Sequence, residues 1–276
     1  MRGMELAHSR VVKFQEMIWS WWEENKRDLP WRRTNDPYKI LVSEIMLQQT
    51  QVSRVLPKYD EFLYFFPDIE TLAHASAGKV LRVWKGMGYN RRALYLRDAA
   101  KIIHEKYHGE IPEEEKKLKV LPGIGDYTLR AILVFGLHRH LAFVDTNIRR
   151  ILTHYFFRDI PQKPSAIHKV ADQLLPEGKA WEWHQALMDY GALQLPKMKR
   201  SERKRRATIP FRQSNRFYRG RIVDLLRRTD MRKTVLINEL IHLYGKDAAY
   251  YRSLLTQLVR EGLVVYKDGS RVGLPE

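Results

Sequence analysis

Residues 121–128 read LPGIGDYT, and the two glycines around Ile124 decide how the chain is organised. Pro122 cannot continue a helix, while Gly123 and Gly125 tolerate positive φ and allow close approach of another group. A run with helical periodicity starts directly afterward, so the stretch predicts a helix, a tight turn and a second helix. The second helix would point its free N–H groups and positive dipole end out of the turn, which suits one DNA phosphate. A plain helix–helix connection uses glycine in the same way, so the turn alone leaves both readings open. It is no nucleotide loop: the G-x-G-x-x-G pattern and the P-loop lysine are missing, and no strand precedes it.

Helical spacing extends in both directions from this turn. Val11, Phe14, Ile18, Trp21 and Trp22 recur at helical intervals, and Asp36 with Pro37 forms a strong helix start before YKILVSEIML. Further helices are predicted over 52–66, 68–75, 78–87, 90–107, 113–120, 127–138, 146–157, 164–175 and 180–193. Strand-like alternation is nearly absent before residue 200, so the body is all-α with short connections. Composition then changes. KMKRSERKRR, residues 197–206, holds seven basic residues and one acid, and reads as a solvated linker or as a DNA-phosphate contact. Beyond it RFYRGRIVDLLRR, KTVLINELIHLYG and AAYYRSLLTQLVREG predict three helices. LVVYKDGSRVGLP then predicts a hairpin turning at Asp268–Gly269. The expected division is a body over 1–196, a basic linker over 197–214 and a winged-helix-like domain over 215–276. Such modules bind DNA through their third helix or serve in dimerisation and docking.

The net charge of +17 exceeds what solubility needs and points to a polyanion, with nucleic acid first. The chain has no cysteine, which excludes disulfides, thiolate zinc sites, cysteine nucleophiles and ordinary iron–sulfur clusters. His138 and His140 are the closest histidine pair and read as solvated surface, so no metal is expected. No apolar run approaches the roughly 20 residues that span a bilayer, and the N-terminus does not resemble a secretory signal. The expectation is a cytoplasmic, nucleoid-associated protein without a membrane partner.

Two carboxylates stand out. Glu44 has Ile40, Leu41 and Leu47 as helical neighbours and therefore lies on an apolar stripe. Burial penalises its charged form, and a raised pKa would let it hold a proton near neutral pH as a general acid must. The alternative is a glutamate paired with an arginine or reaching the surface edge. Asp145 ends the apolar run LAFV and precedes TNIRRIL, the position of a helix N-cap. It is either that cap alone or an anion that stabilises a developing cation in a cleft. Two carboxylates in unequal environments are what cleavage of a glycosidic bond requires.

SEIMLQQTQV, WKGMGYNRRA, LPGIGDYTLRAI, VDTNIRRIL and HQALMDYGAL, in this order and spacing, resemble the helix–hairpin–helix DNA glycosylases. Over about residues 20–195 the chain is similar to the MutY-type adenine branch of that superfamily, with LQQTQV carrying the resemblance to the adenine members. The resemblance implies a two-lobed helix–hairpin–helix body whose turn at Gly123 and Gly125 grips duplex DNA. It implies that Glu44 protonates the leaving base and handles water, that Asp145 stabilises or attacks the oxocarbenium-like sugar, and that Asn147 supports them. Tyr127 stands where lyase-competent relatives have a lysine; tyrosine forms no Schiff base, so base removal by water is implied. Gln49 and Tyr89 correspond to residues that enter the duplex around the orphaned base, and Arg32, Leu47 and Gln185 to residues lining the adenine pocket.

Three departures accompany the resemblance. The family's iron–sulfur cysteines are absent, and Leu195 stands near the place of the first; no cofactor is expected. Lys199, Arg200, Arg203 and Lys204 fall in that region and are expected to contact DNA phosphates instead. The winged-helix-like tail replaces the Nudix-like domain that senses 8-oxoguanine in many relatives. VDTN also replaces the commoner VDGN. The expected function is a monomeric, monofunctional glycosylase acting on double-stranded DNA with a mismatched or damaged base pair, removing adenine opposite guanine or 8-oxoguanine. The alternatives are a thymine/uracil mismatch glycosylase and a non-catalytic winged-helix DNA-binding regulator.

Overall fold

The computed structural model describes residues 5–195 and 209–276. In chain order its helices are α1 (His8–Asn25), α2 (Pro37–Leu47), α3 (Val52–Phe65), α4 (Ile69–His74), α5 (Ala77–Val83), α6 (Arg91–Tyr107), α7 (Glu115–Lys119), α8 (Asp126–Ala131), α9 (Thr146–Phe157), α10 (Pro164–Leu174) and α11 (Ala180–Leu193). There follow α12 (Asn215–Leu226), strand β1 (Met231–Arg232), α13 (Lys233–Tyr244), α14 (Ala248–Arg260) and strands β2 (Val265–Tyr266) and β3 (Arg271–Gly273). The chain divides into two compact units, one holding the chain up to Glu44, Glu113–Val120 and the segment from Ile124, the other Ile45–Pro112, Leu121–Gly123 and residues 209–276.

In the first unit α9 and α11 pack together and α1 packs on α11. Phe14, Ile18, Ile151, Phe156, Trp183 and Leu187 fill the core, each side chain contributing about 1.5–3 kcal/mol by leaving water. The contact of α9 with α11 is close at one point, because a Cβ on Gly191 would stand 2.8 Å from Asn147 Cβ and 3.0 Å from its carbonyl oxygen. Gly191→Ala is therefore expected to destabilise by about 1–3 kcal/mol, read as a lowered denaturant midpoint at unchanged m-value.

One helix departs from its predicted form. The sequence predicts a helix over 127–138; the structure begins it at Asp126 and widens the turn over Ile132–Gly136, where Leu137 N–H reaches Ile132 O at 3.1 Å. The wider turn sets Val134 and Phe135 into a core with Ile40, Ala131 and Phe143, against which Tyr127 packs. Single-turn bulges of this kind carry no periodicity signal of their own.

In the second unit α4 packs along α6, and Phe62, Phe66 and Trp84 form an aromatic cluster. Helix α5 ends at Val83, four residues short of its predicted end, because left-handed Gly86 and Gly88 follow (φ 91° and 69°). Residues 215–276 form three helices and an antiparallel sheet of order β1-β3-β2. The predicted hairpin is present, with Gly269 left-handed at φ 64° and Lys267 N–H bonded to Arg271 O at 3.1 Å. The third strand, β1, pairs Met231 with Val272; two residues are too few to show alternation. This module packs on α5 within the unit. Gly78 N–H donates to Pro275 O at 2.5 Å, and Arg227 Nε donates to Leu81 O at 2.9 Å.

Candidate active site

The first unit carries the two carboxylates. Asp36 accepts Tyr38 N–H at 2.9 Å and starts α2 at Pro37 as the sequence predicts. Every residue from Ile40 to Met46 is buried, so Glu44 is enclosed on all faces and is 4 % exposed. No ion pair reaches it among the described residues. The Tyr127 hydroxyl donates to its carboxyl, and Oε2 is buried with no hydrogen-bond partner. Burial pushes Glu44 up, the Tyr127 bond opposes this, and the charge of Asp145 adds to it; the result is about 7.

Asp145 is the N-cap of α9: Oδ1 accepts Ile148 N–H at 2.6 Å and Oδ2 accepts Asn147 Nδ2–H at 3.0 Å. Burial raises its pKa, while these hydrogen bonds and Arg150 oppose the rise. Asp145 thus has donors for its charge and Glu44 has a single phenol. These unequal surroundings favour the proton on Glu44 over Asp145. Burial and both carboxylates hold the Tyr127 phenol well above its ordinary pKa, so it stays a neutral donor. The approach to Asp145 is fixed by His184, whose Nε2 accepts Phe143 N–H at 3.0 Å while its ring stacks on Phe143 at 4.1 Å. Burial lowers His184 to about 4, so it is a neutral strut.

Arg32 is committed to Asp189, with Nη1 at 2.7 Å and Nη2 at 2.8 Å, and Arg27 Nε joins at 2.6 Å. Asp189 has no exposed surface; burial alone would raise its pKa, but the two arginines hold it below the carboxylate range. Arg32 also lines a cavity of about 360 Å³ with Asn35, His140 and Trp181, whereas Leu47 and Gln185 do not line it. Gln185 is buried in α11 and Leu47 is the half-buried last residue of α2.

The second unit holds the expected duplex-entering residues. Gln49 and Tyr89 both have left-handed backbones, at φ 53° and 46°, uncommon for residues with side chains and concentrated at functional sites. Arg92 braces both loops. Its Nη1 donates to the carbonyls of Ile45, Met46 and Gln48 at 2.6–2.8 Å, and its Nη2 to Thr50 Oγ1 at 2.9 Å and Gly88 O at 3.3 Å. Arg92 in WKGMGYNRRA and His184 in HQALMDYGAL carry no local signal of their roles, which exist only through partners distant in the chain.

The glycine turn is partly as expected. Gly123 takes φ 79° and accepts Gln48 Nε2–H at 3.0 Å. Gly125 does not need its freedom: it is extended, at φ −91°, and caps α8. A Cβ there would meet no atom within 4 Å, so its lack of a side chain leaves open space before the helix. Lys199, Arg200, Arg203 and Lys204 lie outside the described residues. No cluster of three or more metal-ligating side chains occurs among the described residues. An iron–sulfur cluster needs thiolates, and this chain has none, so its donor set does not fit that group.

Residues 42–177 match the HhH-GPD superfamily base excision DNA repair protein family. The chain is 38 % identical over 186 residues to the adenine DNA glycosylase of Buchnera aphidicola subsp. Baizongia pistaciae, covering 66 % of this chain and 53 % of that one. It therefore spans about half the length of that relative. It is 32 % identical over 184 residues to the thymine/uracil-DNA glycosylase of Methanothermobacter thermautotrophicus, covering 65 % of this chain and 83 % of that one. Among solved structures, a thermostable thymine-DNA glycosylase superposes with TM-score 0.65 at 30 % identity, over 69 % of this chain and 90 % of that one.

Proposed function

The chain belongs to the HhH-GPD superfamily of base excision DNA repair proteins, and from that premise we propose that it is a monofunctional DNA glycosylase for mispaired adenine. It hydrolyses the N-glycosidic bond of adenine opposite guanine or 8-oxoguanine and leaves an abasic site. The observation that carries the reading is the buried, unpartnered Oε2 of Glu44 beside the capped, charged Asp145.

Glu44 gives its proton to the leaving base as the bond from C1′ breaks, and the base departs neutral. Asp145 stays ionised against the positive sugar, and Asn147 holds its Oδ2 in place. Water adds to C1′, and the Glu44 carboxylate takes its proton, so the pair returns to its starting state. Tyr127 keeps Glu44 oriented and offers no amine, so the strand is left intact. Gln49 and Tyr89 enter the duplex and offset the few kcal/mol, about, that unstacking a nucleotide costs. The reading needs no cofactor.

Several adenine DNA glycosylases at 34–40 % identity support adenine as the target. Thymine or uracil opposite guanine is the second reading, favoured by the larger share of their own length over which the thymine/uracil relative and the thymine-DNA glycosylase structure match this chain, 83 % and 90 % against 53 % for the Buchnera adenine relative. Duplexes carrying A·8-oxoG, A·G, T·G and U·G separate the two. After alkali, strand breaks at adenine are expected, and none without alkali. Breaks only at T or U would install the second reading, breaks before alkali would defeat the monofunctional assignment, and binding with no release would leave a regulator.

A further inference from the structure

The second unit contains a cleft of about 650 Å³, within the usual size of a small-ligand site. One wall is the loops that carry Gln49 and Tyr89. The other is a single face of α12, with Arg216, Gly220 and Val223 spaced three or four residues apart and Arg227 just past its C-terminus continuing the row. Seven arginines line it against one carboxylate, Asp224.

Most of these arginines have fixed partners. Arg92 holds carbonyls, Arg219 pairs with Glu261, and Arg221 and Arg227 pair with Asp224. Arg54, Arg91 and Arg216 pair with no carboxylate among the described residues. Arg216 is the most constrained of the three. Its guanidinium lies 3.5 Å from the centroid of Tyr89 and 5.4 Å from that of Phe211, and Nη1 donates to the Tyr89 hydroxyl at 2.5 Å. The Nε–Nη2 edge, two parallel N–H donors, has no hydrogen bond among the described residues. Gly220, one turn further along α12, leaves room: a Cβ there would meet nothing within 4 Å. A glycine inside a helix has a conformational cost that this open space gives a reason for.

We propose that this cleft is the site of the nucleotide left without a partner on the intact strand, and that Arg216 recognises a guanine there. Two parallel donors on one edge complement the O6 and N7 acceptors of guanine, a pattern that no other base presents on its major-groove edge. The rings of Tyr89 and Phe211 offer flat apolar faces for a base, and the exposed Arg54 and Arg91 face its phosphates. A role thereby falls to the C-terminal module: α12 brings a selectivity residue to the loops that enter the duplex. The proposal rests on the DNA reading above and names the base opposite the excised one.

Binding alone tests it. The full chain is titrated by fluorescence anisotropy with duplexes that carry a tetrahydrofuran abasic analogue opposite guanine, 7-deazaguanine or cytosine. Wild type should bind the guanine duplex at least about fivefold more tightly than the 7-deazaguanine duplex, which lacks only the N7 acceptor. Arg216→Ala should remove that preference, and Arg216→Lys should remove it while retaining the charge. Gly220→Leu, which fills the cleft without altering charge and favours the helix, should do the same with no loss of thermal stability. A wild type without preference, or a preference that survives in the Arg216 variants, overturns the proposal. So does an Arg216→Ala loss that is equal for every duplex with a salt slope reduced by about one, the mark of a phosphate contact. Failure of the glycosylase reading is visible separately, as wild type releasing no base from any mismatch.

Discussion

Glu44→Gln lowers single-turnover base release by about 10²–10⁴-fold, the usual worth of a positioned general acid. The amide matches the carboxyl in shape and carries no transferable proton, so DNA binding persists. Wild type also loses release as pH rises through about 7, where Glu44 gives up its proton. The residual activity of the variant lacks that alkaline limb. A wild-type rate in the variant, or an identical pH profile, sinks the assignment. Stability moves the other way. The folded pKa of Glu44 lies above its ordinary 4.5, so the stability linked to its protonation is complete below pH 4.5 and lost as pH rises through about 7. Gln cannot ionise, so at about pH 8 the variant gains up to about 3 kcal/mol over its parent, a gain absent below Glu44's ordinary pKa. Denaturant melts at the two pH values measure it. A variant that is more stable and inactive would identify Glu44 as a buried acid kept at a cost to the fold.

Asp145→Asn is expected to lower release by about 10²–10³-fold, the scale of losing one electrostatic contact to a developing charge. The substitution separates two roles that the sequence could not. Asn caps helices about as well as Asp, so α9 and the melting temperature should hold, whereas Ala would cost about 1 kcal/mol of capping as well. A second readout follows from the pair. Because the Asp145 charge helps raise Glu44, its removal moves the alkaline limb of the residual activity to lower pH. An unchanged rate would reduce Asp145 to a cap.

Helix positions were legible because their signals are local. Asp36 and Pro37 start α2, and helices 146–157 and 180–193 end where their apolar spacing ends. The wider turn over Ile132–Gly136 and the two-residue β1 were not legible, since neither repeats long enough to carry a period. At the site, Glu44 could be seen to stand on an apolar stripe, but not that the whole of Ile40–Met46 is enclosed. Arg92 gave no hint of its task, because its acceptors lie more than 40 positions away in Ile45, Met46 and Gln48. Arg32 read as a pocket residue, and its pairing with Asp189 depends on a partner 157 positions distant.

By itself the sequence determined the helical body, the glycine turn, the cap at Asp145, the lack of any thiolate ligand and a charge suited to a polyanion. Each follows from the chemistry of a residue and its near neighbours, which does not change with the fold. Only the tertiary structure decided which carboxylate is the better placed to hold a proton. That outcome depends on what surrounds each group: one phenol at Glu44, and a helix N-terminus with an asparagine at Asp145. It also decided that the C-terminal module reaches Tyr89 through Arg216, a meeting of residues 127 positions apart. Solvation and charge are summed over space, and the chain brings distant residues into that sum only when it folds.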